Sequence, residues 1–316
     1  MKKILLVHDH NRFGGGGDAA LIAERKILER EGYKVFVYSL SSNTIGVDDK
    51  YAFYYDEKEL RRSQKIEKFL NSKNVTNHFD EVLMKFKPDV IHFHLVSKYP
   101  MGIYNSKLMN RAKTIQTLHG PNLFCATSWG CIKKDSAPCE WSVGLKCASR
   151  GCVSVAQLPL HLNLHKRVTL NLKSKIDIFH SPSLHLYTSV KRLGFEKSIY
   201  FPLAVDQVFL DESKVDHFEQ KNIILFVGSL TIQKGVLELL DSFRMLLKER
   251  SDVELHFAGT GDLENELKSI VRGNSLEEYV KFLGFVSRKD IIITYKSALM
   301  LVLPSIWQEQ FGVVGL

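Results

Sequence analysis

Three side chains combine a reactive group with a setting where chemistry is done: the imidazole of His119, the ammonium of Lys234 and the carboxylate of Glu309. Each follows a short apolar run and stands near glycine. The segments are Thr117-Leu118-His119-Gly120, Val227-Gly228-Ser229-Leu230 with Lys234-Gly235, and Glu309-Gln310-Phe311-Gly312. An ammonium at the start of a helix, whose first N–H groups lack partners, suits a diphosphate. A solvated lysine is the plain alternative. His119, before glycine at a strand end, is a candidate to touch a reacting group. A buried, satisfied histidine is the other reading, and it applies equally to His92 and His94 in Asp89-Val90-Ile91-His92-Phe93-His94.

Glycines mark further candidates. Gly14-Gly15-Gly16-Gly17-Asp18 follows the first strand and opens a helix. Gly15, Gly16 and Gly17 could bring backbone amides to an anion, with Asp18 as N-cap. The run is neither a G-x-G-x-x-G fingerprint nor a P-loop, and a flexible loop would explain it too. Ala258-Gly259-Thr260-Gly261-Asp262 repeats the arrangement, and a tight turn explains Gly261 as well as a phosphate does. Phe282-Leu283-Gly284-Phe285-Val286-Ser287 puts Val286 where backbone could read the edge of a base.

These residues need elements to hold them. Continuous apolar runs at Lys3–Val7, Lys34–Ser39, Val90–His94, Thr114–Leu118, Ile176–His180 and Ser198–Phe201 read as strands of a parallel sheet covered on both faces. Helical spacing predicts Asp18–Glu31, Ser72–Lys85, Met101–Arg111, Val153–Leu172 and Leu184–Leu193 between them. A second series has strands at Ile223–Val227, Glu254–Ala258, Val280–Leu283 and Leu299–Leu303, with helices near Gly235–Glu249, Leu263–Val271 and Arg288–Tyr295. The expected architecture is two Rossmann-like α/β domains, 1–205 and 222–316, joined by a polar linker over 206–221. Ligands in such sheets bind at the carboxyl ends of strands, where the candidates fall.

The 316 residues carry a net charge of +8, unevenly spread. Residues 1–205 hold 31 Lys/Arg against 18 Asp/Glu, and residues 206–316 hold 12 against 17. A basic half favours an anionic membrane surface or an anionic acceptor. No run of five like charges occurs and no basic stretch is interleaved with aromatics, so nucleic acid is not an expected partner. Apolar runs are too short to span a bilayer, and the run after Met1 ends at His8-Asp9-His10, so a cytoplasmic protein is expected. The five cysteines, Cys125, Cys131, Cys139, Cys147 and Cys152, crowd into one segment without a C-x2-C pair. No metal is expected, with Cys131, Cys139, Cys147 and Cys152 as the alternative ligand set.

In order and spacing these pieces resemble the family 4 glycosyltransferases of GT-B fold. The resemblance rests on Gly14–Gly17, Pro88–His94, Thr117–Gly120, Ser181, Pro202-Leu203-Ala204-Val205-Asp206, Val227–Leu230 with Lys234-Gly235, Gly259–Gly261, Leu283–Val286, and Pro304-Ser305 through Gly312. It implies two domains facing a cleft and transfer of a sugar from a nucleoside-diphosphate sugar, with retention and without a cofactor. By resemblance, Lys234 and the Gly14–Gly17 loop stabilise the leaving diphosphate, with the Phe311-Gly312 amides beside it. His119 touches the donor sugar or reacting centre, and Glu309 holds sugar hydroxyls. The acceptor would be a glycan or lipid-linked, in cell-surface polysaccharide synthesis, with the protein at the inner face of the membrane.

Two departures stand out. Ser229 occupies a position where the family usually has Arg, and a lost charge-assisted hydrogen bond costs roughly 1.5–3 kcal/mol. The E-x7-E pattern opened by Glu309 would close at residue 317, one beyond Leu316, so a truncated second domain is expected. A cysteine-bearing insertion, about 121–152, follows His119, and Leu158–Lys175 reads as an ordinary domain helix, with a segment lying on a bilayer as the alternative. A non-catalytic nucleotide-sugar-binding or partner subunit, and another GT-B enzyme such as a nucleotide-sugar epimerase, are the alternative functions.

Overall fold

The computed structural model describes residues 1–9, 16–39, 52–55, 73–96, 101–121, 124–126, 139, 143–212 and 220–315. The chain divides into two compact units between Asp206 and Gln207.

In the first unit, β1 (Lys3–Val7), β2 (Lys34–Ser39), β3 (Ala52–Tyr54), β4 (Val90–Phe93), β5 (Lys113–Thr117), β6 (Ile178–Ser181) and β7 (Ser198–Tyr200) form one sheet in the order β3-β2-β1-β4-β5-β6-β7. Every pairing is parallel. The continuous apolar strands follow from burial on both faces. Leu5, Val7, Phe36, Tyr38, Ile91 and Phe93 join one core cluster, while Ile4, Leu6, Val35 and Val37 join another with Leu21. That alternation is the two-residue period of a strand. Leu21 belongs to α1 (Gly16–Arg30), so α1 covers the second face. Then follow α2 (Lys73–Phe86), the short α3 (Leu145–Ser149), α4 (Leu158–Lys175) and α5 (Leu184–Arg192).

The second unit opens with α6 (Gln207–Glu212). Strands β8 (Lys221–Val227), β9 (Glu254–Ala258), β10 (Val280–Gly284) and β11 (Ala298–Leu301) pair in parallel in the order β10-β9-β8-β11. Between them run α7 (Val236–Leu246), α8 (Glu264–Gly273) and α9 (Arg288–Ser297). Strand order reverses at β1/β4 in the first unit and at β8/β11 in the second, and an open α/β sheet receives ligands at such a point.

Three expectations change. Met101–Arg111 is not one helix but two 3-10 turns, Met101–Asn105 and Leu108–Arg111, because the buried Ser106 hydroxyl bonds Asp80 and accepts the Leu108 N–H at 3.2 Å. The Val153–Leu172 helix begins only at Leu158, after a 3-10 turn started by a Ser154/Gln157 capping box. The polar 206–221 segment is not wholly linker. Asp206 is buried and paired with Lys26 at 2.9 Å, Gln207–Glu212 is helical, and Lys221 already belongs to β8. Residues 213–219 lie outside the described residues.

Candidate functional site

At the first unit's switch point, β1 ends into His8 and β4 ends into His94, both buried. The Leu95 N–H donates to His8 Nδ1 at 3.2 Å, so Nε2 carries the proton it donates to Asp18 Oδ1 at 2.6 Å. Asp18 therefore serves His8 from inside the first turn of α1, not as the N-cap. Gly16 and Gly17 open that helix; Gly14 and Gly15 lie outside the described residues.

Beside them runs a chain of side chains that sequence alone did not assemble. His180 Nε2–H donates to the Phe201 carbonyl at 2.6 Å, leaving Nδ1 to accept from the Thr117 hydroxyl at 2.8 Å. Thr117 Oγ1 accepts from His92 Nε2–H at 2.7 Å, and His92 Nδ1 meets Glu24 Oε1 at 2.7 Å, a contact that holds a proton. Glu24 Oε2 lies 3.3 Å from His94 Nε2, and His94 Nδ1 lies 3.2 Å from His119 Nε2 with the two rings stacked. Burial opposes ionisation of Glu24, but His92 and His94 outweigh it and hold its carboxyl well below the usual range. Burial, reinforced by His92, pushes His94 down to about 4. Burial, then His94, His8, His92 and His180, push His119 well below its ordinary value. Both rings are thus neutral at pH 7. The one hint of Glu24 in the sequence is its helical spacing from Ala20 and Leu21, which puts a carboxylate on the inner face of α1.

Glu24, His92 and His94 bring ligand atoms within 4.8 Å of one another. Two ligands at zinc distances sit roughly 3.3 Å apart across a tetrahedral ion, and the 2.7 Å Glu24–His92 contact is tighter. Glu24 Oε1 and both His92 nitrogens are taken by hydrogen bonds, while His94 Nε2 has no hydrogen-bond partner. Among the described residues, Cys125, Cys139, Cys147 and Cys152 form no such compact set. Burial raises the Cys147 thiol, with Cys152, Cys139 and Cys125 adding to the effect. Cys131 lies outside the described residues.

In the second unit, β8 ends at Val227 and its loop carries exposed Ser229 and half-buried Lys234. After β11 the chain returns through Pro304 to Glu309. The Lys234 ammonium bonds Glu309 Oε1, which also accepts from the Ser305 hydroxyl at 2.6 Å. Lys234 Nζ lies 5.5 Å from the Trp307 ring centre. Burial works against a charged Glu309, but Lys234 and Ser305 prevail and lower its pKa. Gly235 makes the approach feasible. At φ 65°, a Cβ there would sit 2.0 Å from the Pro304 carbonyl oxygen. Gly261 is explained by packing, since a Cβ would meet the Leu230 carbonyl oxygen at 2.3 Å. Val286 packs against the Ile223/Leu225 cluster, so only its backbone is free to read a ligand. Phe311 and Gly312 are half-buried, and Gly312, at φ 66°, leads into the short turn Val313–Gly315. Buried beside Glu309, Gln310 Oε1 has no hydrogen-bond partner.

Solved structures share this fold. A sucrose-phosphate synthase from Thermosynechococcus elongatus superposes with a TM-score of 0.66 at 15% identity, over 99% of this chain and 78% of its own. Anabaena HepE in complex with UDP and glucose does so at 0.62 and 16%, over 99% and 77%. The fold is GT-B. Residues 209–316 match the family of glycosyl transferases group 1. An uncharacterised glycosyltransferase of Methanocaldococcus jannaschii is 39% identical over 98 residues, 31% of this chain and 25% of that protein. The amylovoran biosynthesis glycosyltransferase AmsK of Erwinia amylovora is 33% identical over 101 residues, 32% of this chain and 25% of its own. The matched stretch thus spans about a quarter of these curated relatives.

Proposed function

We propose that this GT-B protein is a retaining glycosyltransferase that moves a sugar from a nucleoside-diphosphate sugar to a glycan or lipid-linked acceptor in cell-surface polysaccharide synthesis. The observation that carries the proposal is the Lys234–Glu309 pair at the β8/β11 switch point, inside the region that matches glycosyl transferases group 1. Negative charge grows on the leaving diphosphate in the transition state, and a preorganised ammonium stabilises it without reorganising. Glu309 keeps Lys234 in place until the diphosphate competes for it, and then has oxygens available for sugar hydroxyls. Ser229 and the Phe311-Gly312 amides supply neutral donors, and Gly16 and Gly17 offer amides at the start of α1. His119 contacts the donor sugar. UDP and glucose bound in HepE support a nucleotide-sugar donor.

The test is a panel of nucleotide sugars offered to the protein with polysaccharide and lipid-linked acceptors, reading products by mass and anomeric configuration by NMR. Transfer with retention is expected. Failure of any nucleoside diphosphate to bind, in calorimetry on both the protein and Lys234→Ala, would sink the proposal. A second reading, a subunit that binds a sugar nucleotide without transferring it, draws on Ser229, a neutral residue directly after Gly228. Binding without turnover across the panel would favour it.

An anionic membrane surface is the proposed second partner. No helix among the described residues is long and apolar enough to cross a membrane. Exposed Leu160, Leu162 and Leu170 on α4 alongside its lysines would suit a surface contact.

A further inference from the structure

Histidines two residues apart on a strand present their rings to one face. His92 pairs with Leu6 of β1, and the His94 N–H continues the ladder to the Val7 carbonyl at 2.8 Å. The two rings therefore stand side by side, with centres 4.3 Å apart. Leu6 lies in the layer that Leu21 of α1 covers, and Glu24, one turn after Leu21, brings its carboxylate onto the pair. One ligand atom from each of Glu24, His92 and His94 falls within 4.8 Å of the others.

The nitrogens turned away from Glu24 are already committed. His92 Nε2 bonds Thr117 Oγ1 at 2.7 Å, and His94 Nδ1 bonds His119 Nε2 at 3.2 Å. The nitrogens turned toward Glu24 differ. His92 Nδ1 lies 2.7 Å from Glu24 Oε1, with a proton between them. His94 Nε2 is buried, has no hydrogen-bond partner, and stands 3.3 Å from Glu24 Oε2. That is roughly the separation of two ligands across a tetrahedral ion with bonds of about 2.0 Å. A buried nitrogen lone pair facing a carboxylate oxygen at this distance calls for a positive charge between them.

We propose that Glu24, His92 and His94 hold a divalent transition-metal ion of the zinc class, which ties α1 to the end of β4. The ion enters between Glu24 Oε2 and His94 Nε2. It displaces the proton shared by Glu24 Oε1 and His92 Nδ1, and the carboxylate turns to free Nδ1 as the third ligand. Two imidazoles and a carboxylate are a donor set that such ions take, and each imidazole is oriented from behind by another side chain. The fourth position is left to water on the side of Glu24, whose side chain is 24% exposed. The ion braces the helix whose first turn holds Gly16 and Gly17. All three ligands belong to the first unit, so the site does not depend on the sugar-transfer reading.

Co2+ titrated into the reduced full chain tests this, because its visible bands report nitrogen and oxygen ligands separately from the charge-transfer band that cysteine thiolates would add. Visible bands of nitrogen and oxygen ligation are expected, saturating at a single equivalent. Zn2+ should abolish them by displacement, while Mg2+ and Ca2+ should leave them unchanged. His94→Gln and Glu24→Gln, each checked for folding by circular dichroism, should lose the bands. Thr117→Val, which removes only the support behind His92, should keep them with affinity lowered roughly 10- to 100-fold. Failure of the wild-type chain to develop these bands overturns the proposal. So do bands that persist at wild-type affinity in folded His94→Gln or Glu24→Gln, since the ion would then be held elsewhere.

Discussion

Acidification should loosen the first unit selectively, and the magnitude follows from the buried histidines. His94 falls from an ordinary value of 6.5 to about 4 in the folded chain. Between those values the unfolded chain binds a proton that the folded chain refuses, so stability rises with pH and is lost as pH falls. At pH 5, linkage for that one group removes about 2 kcal/mol relative to pH 7, or roughly a 30-fold rise in the opening equilibrium. His119 and His180 are displaced in the same direction. Glu24 is depressed, so its contribution persists until pH drops below the ordinary carboxylate range, and then it adds to the loss. Hydrogen exchange read by mass spectrometry on peptides over 90–96 and 113–119 measures this locally. Corrected for the intrinsic rate, their protection should drop at least tenfold from pH 7 to pH 5, with β10 as the control. His94→Gln should flatten the slope. Protection in 90–96 that is unchanged between these pH values would refute the reasoning, because a buried neutral imidazole could not then be what β4 carries.

Other expectations follow from single contacts. Lys234→Ala removes the cation beside Glu309 and should weaken binding of the panel's best nucleoside diphosphate roughly 10- to 150-fold in calorimetry, the equivalent of 1.5–3 kcal/mol. Gly235→Ala meets the Pro304 carbonyl at a left-handed φ and should lower the second unit's stability by about 1–3 kcal/mol, read by denaturant unfolding. If α4 rests on a bilayer, Leu160→Glu with Leu170→Glu should abolish co-sedimentation with phosphatidylglycerol vesicles, while binding to phosphatidylcholine stays absent throughout.

The central strands were legible because burial on both faces demands apolar residues at nearly every position. Lys3–Val7, Lys34–Ser39 and Glu254–Ala258 fall where composition puts them. β3 was not legible, since Ala52–Tyr54 is three residues at a sheet edge with little apolar signal. Lys234, Glu309 and His119 were legible as strand-end residues of reactive type. Their partners were not. Glu24 and His94 are 70 residues apart, and Lys234 and Glu309 are 75, so no local pattern couples them.

The sequence by itself determined two parallel-sheet units and most of their strands, because those depend on short-range periodicity. Only the tertiary structure decided which side chains meet. Register sets Leu6 of β1 beside His92 of β4, and α1 then lays Glu24 across them. Pairing of that kind is a property of strand order and helix packing, and it sets the charge of Glu309 and the neutral ring of His94 at positions where residue type alone leaves both open.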